Sequence, residues 1–140
     1  MISNRGFNFF LATLSLLLLV SCANKSPQST QDTKTQLCTD LARFDTAVTT
    51  LKSMSPNSTV GDFRKAQDQV SATFSNVTKS AQKVQDAKAA DLNRAYDNLN
   101  KAIRGIPNTA TLRQASASIS GKVAAVKAAE TQMRSNLSCS

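Results

Sequence analysis

The 140-residue chain contains no histidine and no tryptophan, a single tyrosine and comparatively few acidic residues. Imidazole titrates near neutral pH and is the commonest ligand of zinc and copper. Its absence therefore excludes histidine-based acid–base catalysis and histidine-based sites for these metals. A hydroxyl nucleophile would need a lysine or a carboxylate as its activating base, and no recognisable motif supplies one. We predict a protein that is not an enzyme and that holds neither a metal nor a cofactor.

The shortage of aromatic residues argues against a nucleic-acid-binding protein, although the formal net charge is +8. Proteins that bind single strands present exposed aromatic side chains on which the bases stack. Tyr96 is the only tyrosine, and the phenylalanines beyond the leader lie on apolar stripes where a helix would bury them: Phe44, Phe63 and Phe74. We predict no nucleic-acid partner.

One long apolar run occurs, and it lies at the start of the chain. Arg5 precedes an apolar stretch over residues 7 to 20, which Asn8 and small residues interrupt. These 14 positions fall short of the roughly 20 apolar residues of a membrane-spanning helix. They match instead the charged and apolar regions of a signal peptide. The run ends in Leu19-Val20-Ser21-Cys22, which resembles the lipobox of bacterial lipoproteins.

The resemblance implies that residues 1 to 21 are removed as a lipoprotein signal peptide and that Cys22 carries acyl chains. Two or three chains on one residue hold a protein on a bilayer essentially permanently. The implied location is the cell envelope, facing the periplasm or the outside. Ala23 after the cysteine would favour the outer over the inner membrane of a Gram-negative cell. The alternative interpretation is an ordinary secretory signal with a chance cysteine.

Lipidation of Cys22 leaves an even pair of thiols, Cys38 and Cys139. An exported protein meets an oxidising compartment, so we predict a Cys38–Cys139 disulfide. Two buried free thiols are the alternative. A redox pair is disfavoured because no Cys-x-x-Cys spacing is present.

The rest of the chain divides into a tether and a helical domain. Residues 22 to 35 contain the lipidated cysteine and a polar segment with no apolar residue larger than alanine, which predicts a flexible tether. In residues 36 to 140, apolar residues recur every 3 or 4 positions, the periodicity of amphipathic helices, which predicts a helical domain. Thr59 and Asp62 form the pattern of a capping box, and Asn108 or Thr109 is the predicted cap of the last helix.

Two all-α architectures fit this pattern. We favour an elongated antiparallel bundle whose long central helix spans residues 60 to 104, with two shorter helices docked end to end along it. Ala87, Lys88 and Ala89 are helix formers and no turn residue interrupts them. The alternative is an up-down-up-down four-helix bundle, in which the chain breaks near residues 86 to 91. Both arrangements bring Cys38 next to Cys139.

The positive charge is uneven, since residues 98 to 140 carry six Lys and Arg residues against Glu130 alone. Lys101, Arg104 and Arg113 flank the predicted turn at residues 105 to 108, far from the disulfide. Clustered cations attract anionic polymers and phospholipid surfaces. A solvated face that serves solubility is the simpler explanation.

These observations predict a membrane-anchored, non-catalytic interaction or structural module. Its partners would be the lipid bilayer, through the acyl chains of Cys22, and an envelope protein or anionic polymer. The alternative is a binding module for an anionic envelope polymer or a small apolar ligand, using the basic tip or a groove between helices.

Overall fold

The computed structural model describes residues 27–84 and 87–140, with side chains from residue 30 onward. Four helices account for the regular structure of this part of the chain: α1 (Pro27–Lys52), α2 (Val60–Ala81), α3 (Ala90–Arg104) and α4 (Leu112–Leu137). The described ranges contain no strand. The prediction of an all-α helical bundle is confirmed.

Successive helices run in opposite directions, in up-down-up-down order. Helix α1 packs along both α2 and α4, and α3 packs along α4. The hydroxyl of Ser80, near the end of α2, donates a hydrogen bond to Asp40 in the first half of α1, so these two helices are antiparallel. The rings of Phe44, Phe74 and Tyr96 join α1, α2 and α3, with centroids between 3.7 and 6.4 Å apart.

The favoured prediction of one continuous helix over residues 60 to 104 is wrong, and the four-helix alternative is the observed arrangement. Helix α2 ends at Ala81, and α3 begins at Ala90, after eight intervening residues. In between, the amide of Val84 donates to the carbonyl of Ala81, and the amide of Ala87 donates to the carbonyl of Val84. Lys88 takes a left-handed conformation with φ 43°.

The break has a packing explanation. By folding back, the chain buries the apolar face of α3 in the shared core: Leu92, Ala95, Leu99 and Ile103. Helix propensity favours continuation by less than about 1 kcal/mol per residue, whereas fully burying one leucine is worth about 1.5 to 3 kcal/mol. Val84 and Ala87 stay 6% and 4% exposed, so the connection contributes to the core as well.

Helix α1 begins earlier than expected. It starts at Pro27, whereas residues up to 35 were predicted to be flexible, so the expectation of a coil is wrong for residues 27 to 35. Proline suits the first helical position, and each residue added to an existing helix gains a backbone hydrogen bond. The segment is polar all round, so it gave no apolar periodicity to detect. The predicted signal peptide (residues 1 to 21), Cys22 and residues 23 to 26 lie outside the described residues.

The two observed caps explain where α2 and α4 begin. Thr59 caps α2 through the predicted capping box with Asp62. Helix α4 is capped by Thr111, whose hydroxyl accepts from the amide of Gln114, and not by Asn108 or Thr109. The predicted cap of α4 was wrong because the capping-box pattern used for α2 ends in an acidic residue, whereas the box of α4 ends in Gln114.

The Cys38–Cys139 disulfide is present, with Cα atoms 5.6 Å apart and a sequence separation of 101 residues. In the chain-entropy model, closing a loop of this length stabilises a fold by about 4 to 5 kcal/mol. The bond ties the first half of α1 to Cys139, two residues beyond the end of α4. It also marks one end of the bundle.

Candidate interaction surface at the basic end

The end of the bundle farthest from the disulfide gathers positive charge. We call it the basic end and define it by residues 53–66 and 101–115, which comprise the two turns there, the start of α2, the last turn of α3 and the start of α4. Its charged residues are five cations and one carboxylate: Arg64, Lys65, Lys101, Arg104, Arg113 and Asp62.

The three cations predicted from the sequence come together here. Lys101 and Arg104 occupy the last turn of α3, and Arg113 lies in the first turn of α4, across the connection at residues 105 to 111. All three side chains are exposed. The structure thus places them on one end of the molecule, although it does not test what they contact.

Sequence reasoning missed Arg64 and Lys65, which belong to the same surface. They lie in the first turns of α2, where Lys65 lines the groove between α1 and α2. Arg64 lines the same cleft as Arg104. The capping box at Thr59 was the available signal, because it fixed the start of α2, which lies at the same end of the bundle as the connection between α3 and α4. Because charge was summed over continuous segments of the sequence, the contribution of Arg64 and Lys65 to this surface was missed.

These cations are free of intramolecular ion pairs within the described residues. Four ion pairs occur in that part of the chain, and none of them involves the basic end. The single carboxylate there is engaged locally, since Asp62 accepts hydrogen bonds from the backbone amide and the hydroxyl of Thr59 at 3.0 and 2.8 Å. These bonds, with a smaller effect of Lys65, lower the pKa of Asp62.

A cleft of about 210 Å³ opens at the basic end between α2, α3 and the start of α4. Its floor is apolar: Phe63 and Ile103 are each 8% exposed, and the half-buried Ile106 and Leu112 complete it. The exposed Arg64 and Arg104 also line it. Val60 lies at the edge of the cleft and is 49% exposed. Among the described residues it is the one large apolar side chain that is exposed.

A wider groove of about 560 Å³ lies on the other side of the same turn, between α3 and α4. Ile106, Pro107 and Ala110 line both hollows. The residues of the wider groove are small or uncharged, whereas the cleft combines apolar floor and cationic rim. Of these two hollows, the cleft is therefore the one that offers charged and apolar side chains together.

Two acidic residues are buried in the bundle. Asp40 is 4% exposed and accepts hydrogen bonds from Ser80 and from Gln36. Glu130 is also 4% exposed, with Arg134 Nη1 3.6 Å from its Oε1, and that oxygen has no hydrogen-bond partner. Both positions continue the apolar spacing of their helices, which was the overlooked signal.

The electrostatic setting of Glu130 follows from its neighbours. Burial raises the pKa of Glu130, and the nearby carboxylate of Asp45 raises it further. Arg134 and Lys127 oppose this rise. Lys127 is itself held by Asp45 at 2.7 Å and by the hydroxyl of Thr49 at 3.0 Å. This cluster joins α1 to α4 and lies away from the basic end.

Comparisons with protein-family models, with curated proteins and with solved structures give no significant match to this chain. Among the four described helices, none has the length and hydropathy required to cross a bilayer. The same residues contain no group of three or more potential ligands close enough to hold a metal ion.

Proposed function

We propose that the chain is a lipid-anchored, non-catalytic interaction module of the cell envelope. Acyl chains on Cys22 would hold it on a bilayer, and the basic end would contact an anionic envelope component. The observation that carries this proposal is the set of five cations at one end, which form no ion pair within the described residues. Unpaired, clustered cations are available to an external anion.

The direction of α1 supports this assignment of the two ends. Cys22 is five residues before Pro27, and a chain of that length reaches at most about 18 Å. The 26 residues of α1 then extend about 39 Å away from that point. An anchor at Cys22 would therefore lie toward the end of the molecule opposite the basic end, so an upright domain would present its cations away from its own bilayer.

The filled core favours contact with a macromolecule over storage of a small apolar ligand. Leu37, Leu41 and Phe44 are completely buried, and the largest hollows lie between helices at the surface. The groove between α1 and α2 combines Met54 and alanines with threonines and the charged Arg43, Asp62 and Lys65, and it is open to solvent along its length. A site that stores an apolar ligand buries most of the ligand's surface, which an open groove does not do.

Crosslinking in the native envelope tests the proposal. The full-length chain carries Lys101→Glu, Arg104→Glu and Arg113→Glu, and the matched control carries Lys79→Glu, Lys83→Glu and Lys122→Glu, three exposed cations outside the basic end. Both variants change the net charge equally. A cation near an anionic surface contributes about 1 kcal/mol, so we expect the basic-end variant to bind roughly a hundredfold more weakly and to lose its crosslinks.

Two further observations complete the test. Metabolic labelling with a fatty acid should mark the natural chain and leave Cys22→Ser unlabelled, which checks the anchor separately from the contact. Equal crosslinking by the basic-end variant and its control would contradict the role of the basic end. Labelling of Cys22→Ser would contradict the anchor.

A further inference from the structure

The size and lining of the cleft at the basic end restrict which chemical class of partner can bind there, if the basic end has the proposed function. A cavity of about 150 Å³ can accommodate benzene, so about 210 Å³ suits one leucine or phenylalanine side chain. Pockets for drug-sized molecules run from about 300 to 1,000 Å³. The cleft is thus sized for a single apolar group, and Arg64 and Arg104 line it.

We propose that the cleft binds an acidic protein segment, with one apolar side chain inserted between α2, α3 and the start of α4 and with carboxylates meeting Arg64 and Arg104. Arginine matches this role because its planar guanidinium forms paired hydrogen bonds with a carboxylate. Phe63, Ile103, Ile106 and Leu112 supply the apolar contact. Both arginines are free of ion pairs within the described ranges.

The same features disfavour two other anionic partners. A membrane surface would attract the cations but leave the apolar part of the cleft unfilled, because Val60 is the one large apolar residue exposed in the described part of the chain. The other apolar residues of the basic end are recessed in hollows that a flat surface does not enter. An anionic polysaccharide meets the arginines but has no aliphatic side chain to fill an apolar floor.

Binding to designed peptides tests the inference on the full-length lipidated protein in nanodiscs of uncharged lipid. One fluorescent peptide has a central leucine between two runs of three glutamates, and the second has serine in place of the leucine. We expect the leucine peptide to bind about tenfold more tightly than the serine peptide, because the cleft would partly bury its leucine side chain. Arg64→Glu with Arg104→Glu should weaken both peptides by at least about tenfold, with Lys79→Glu plus Lys83→Glu as the control.

A second pair of variants separates the cleft from the charge. Ala110 is half-buried in the turn and lines the cleft, so Ala110→Leu should fill it without altering any charge. We expect this variant to lose the preference for the leucine peptide and to keep its weaker binding of the serine peptide. Ala117→Leu, on the exposed face of α4, is the matched control and should keep the preference.

The remaining outcomes distinguish this inference from the proposed function. Equal binding of the two peptides, lost on reversal of the arginines, would overturn the cleft and leave anionic recognition by the basic end intact. Binding to phosphatidylglycerol vesicles in place of the peptides would overturn it in favour of a membrane surface. Absence of peptide binding at millimolar concentration would also overturn it, and the crosslinking comparison would still decide the proposed function.

Discussion

The two ends of the bundle differ in whether their charged groups are paired within the protein or exposed to solvent. The disulfide end, made of residues 30–43, 77–84, 87–94 and 130–140, mixes acids with bases and contains three of the four ion pairs that the described residues form. It also contains a covalent bond and buries Asp40, Ser80 and Glu130. At the basic end the one carboxylate is engaged in a helix cap, and the cations face outward.

This difference indicates a division of work between stability and contact. Charges that are paired or buried within a protein are committed to its own fold, whereas exposed cations without a partner contribute little to stability and remain available for binding. The disulfide end is thus expected to respond to substitutions through the free energy of unfolding. The basic end is expected to respond mainly through binding.

The largest expected effect comes from removing the disulfide. Cys38→Ser with Cys139→Ser should lower the free energy of unfolding by about 4 kcal/mol, because the denatured chain regains the entropy of an open loop of about 100 residues. Urea denaturation followed by circular dichroism measures it. Adding reductant should reproduce the loss in the natural protein and have no effect on the double variant. A loss below about 1 kcal/mol would mean that the disulfide end is held by packing alone.

The next effect concerns the buried Glu130. Its pKa is raised in the folded state, so the native protein binds this proton more tightly than the unfolded chain does. The destabilising cost of its ionised form is absent below its ordinary value of 4.5 and develops as the pH rises through the raised pKa. Stability from this group therefore falls with increasing pH, and Glu130→Gln should remove that fall.

At pH 7 we expect Glu130→Gln to be more stable than the natural protein by about 1 kcal/mol, the lower range for a poorly satisfied buried polar group. Denaturation midpoints between pH 4 and pH 8 give the measurement. Asp97→Asn, an exposed position on α3, is the control and should leave the pH profile unchanged. A parallel profile for Glu130→Gln and the natural protein would count against a raised pKa.

The smallest effect tests the basic end, where capping is the main local stabilisation. Thr59→Ala should cost about 1 kcal/mol or less, because it removes the hydroxyl that accepts from the amide of Asp62. The lowered pKa of Asp62 means that its contribution is present above the ordinary pKa and is lost as the pH falls. Thr59→Ala should therefore also flatten the acid side of the stability profile. An unchanged acid side would show that the cap contributes little.

The helical class, the apolar faces of α1 and α4 and the disulfide could all be predicted from the sequence, because each depends on spacing or on parity. The break after Ala81 could not. Ala89 and Ala90 favour helix locally, and only the burial of the distant α3 face explains the turn. The helical start at Pro27 was missed for the converse reason, since a uniformly polar segment has no apolar period.

The basic end was predicted in part. Lys101, Arg104 and Arg113 are close in sequence, so counting charges along the chain found them. Arg64 and Lys65 lie about 40 residues earlier, and only the up-down-up-down order of the four helices brings them to the same end. The cleft depends on side chains from three helices, and no local pattern specifies such a combination.

The position of Cys38 within α1 has a mechanical consequence. Eleven residues of α1 precede it, a rigid segment of about 16 Å. If Cys22 is fixed in a bilayer, a pull on the distal partner loads this segment in tension, and the disulfide transfers part of the load directly to the end of α4. The first and last helices would then share the force, and the bundle would resist being peeled apart one helix at a time.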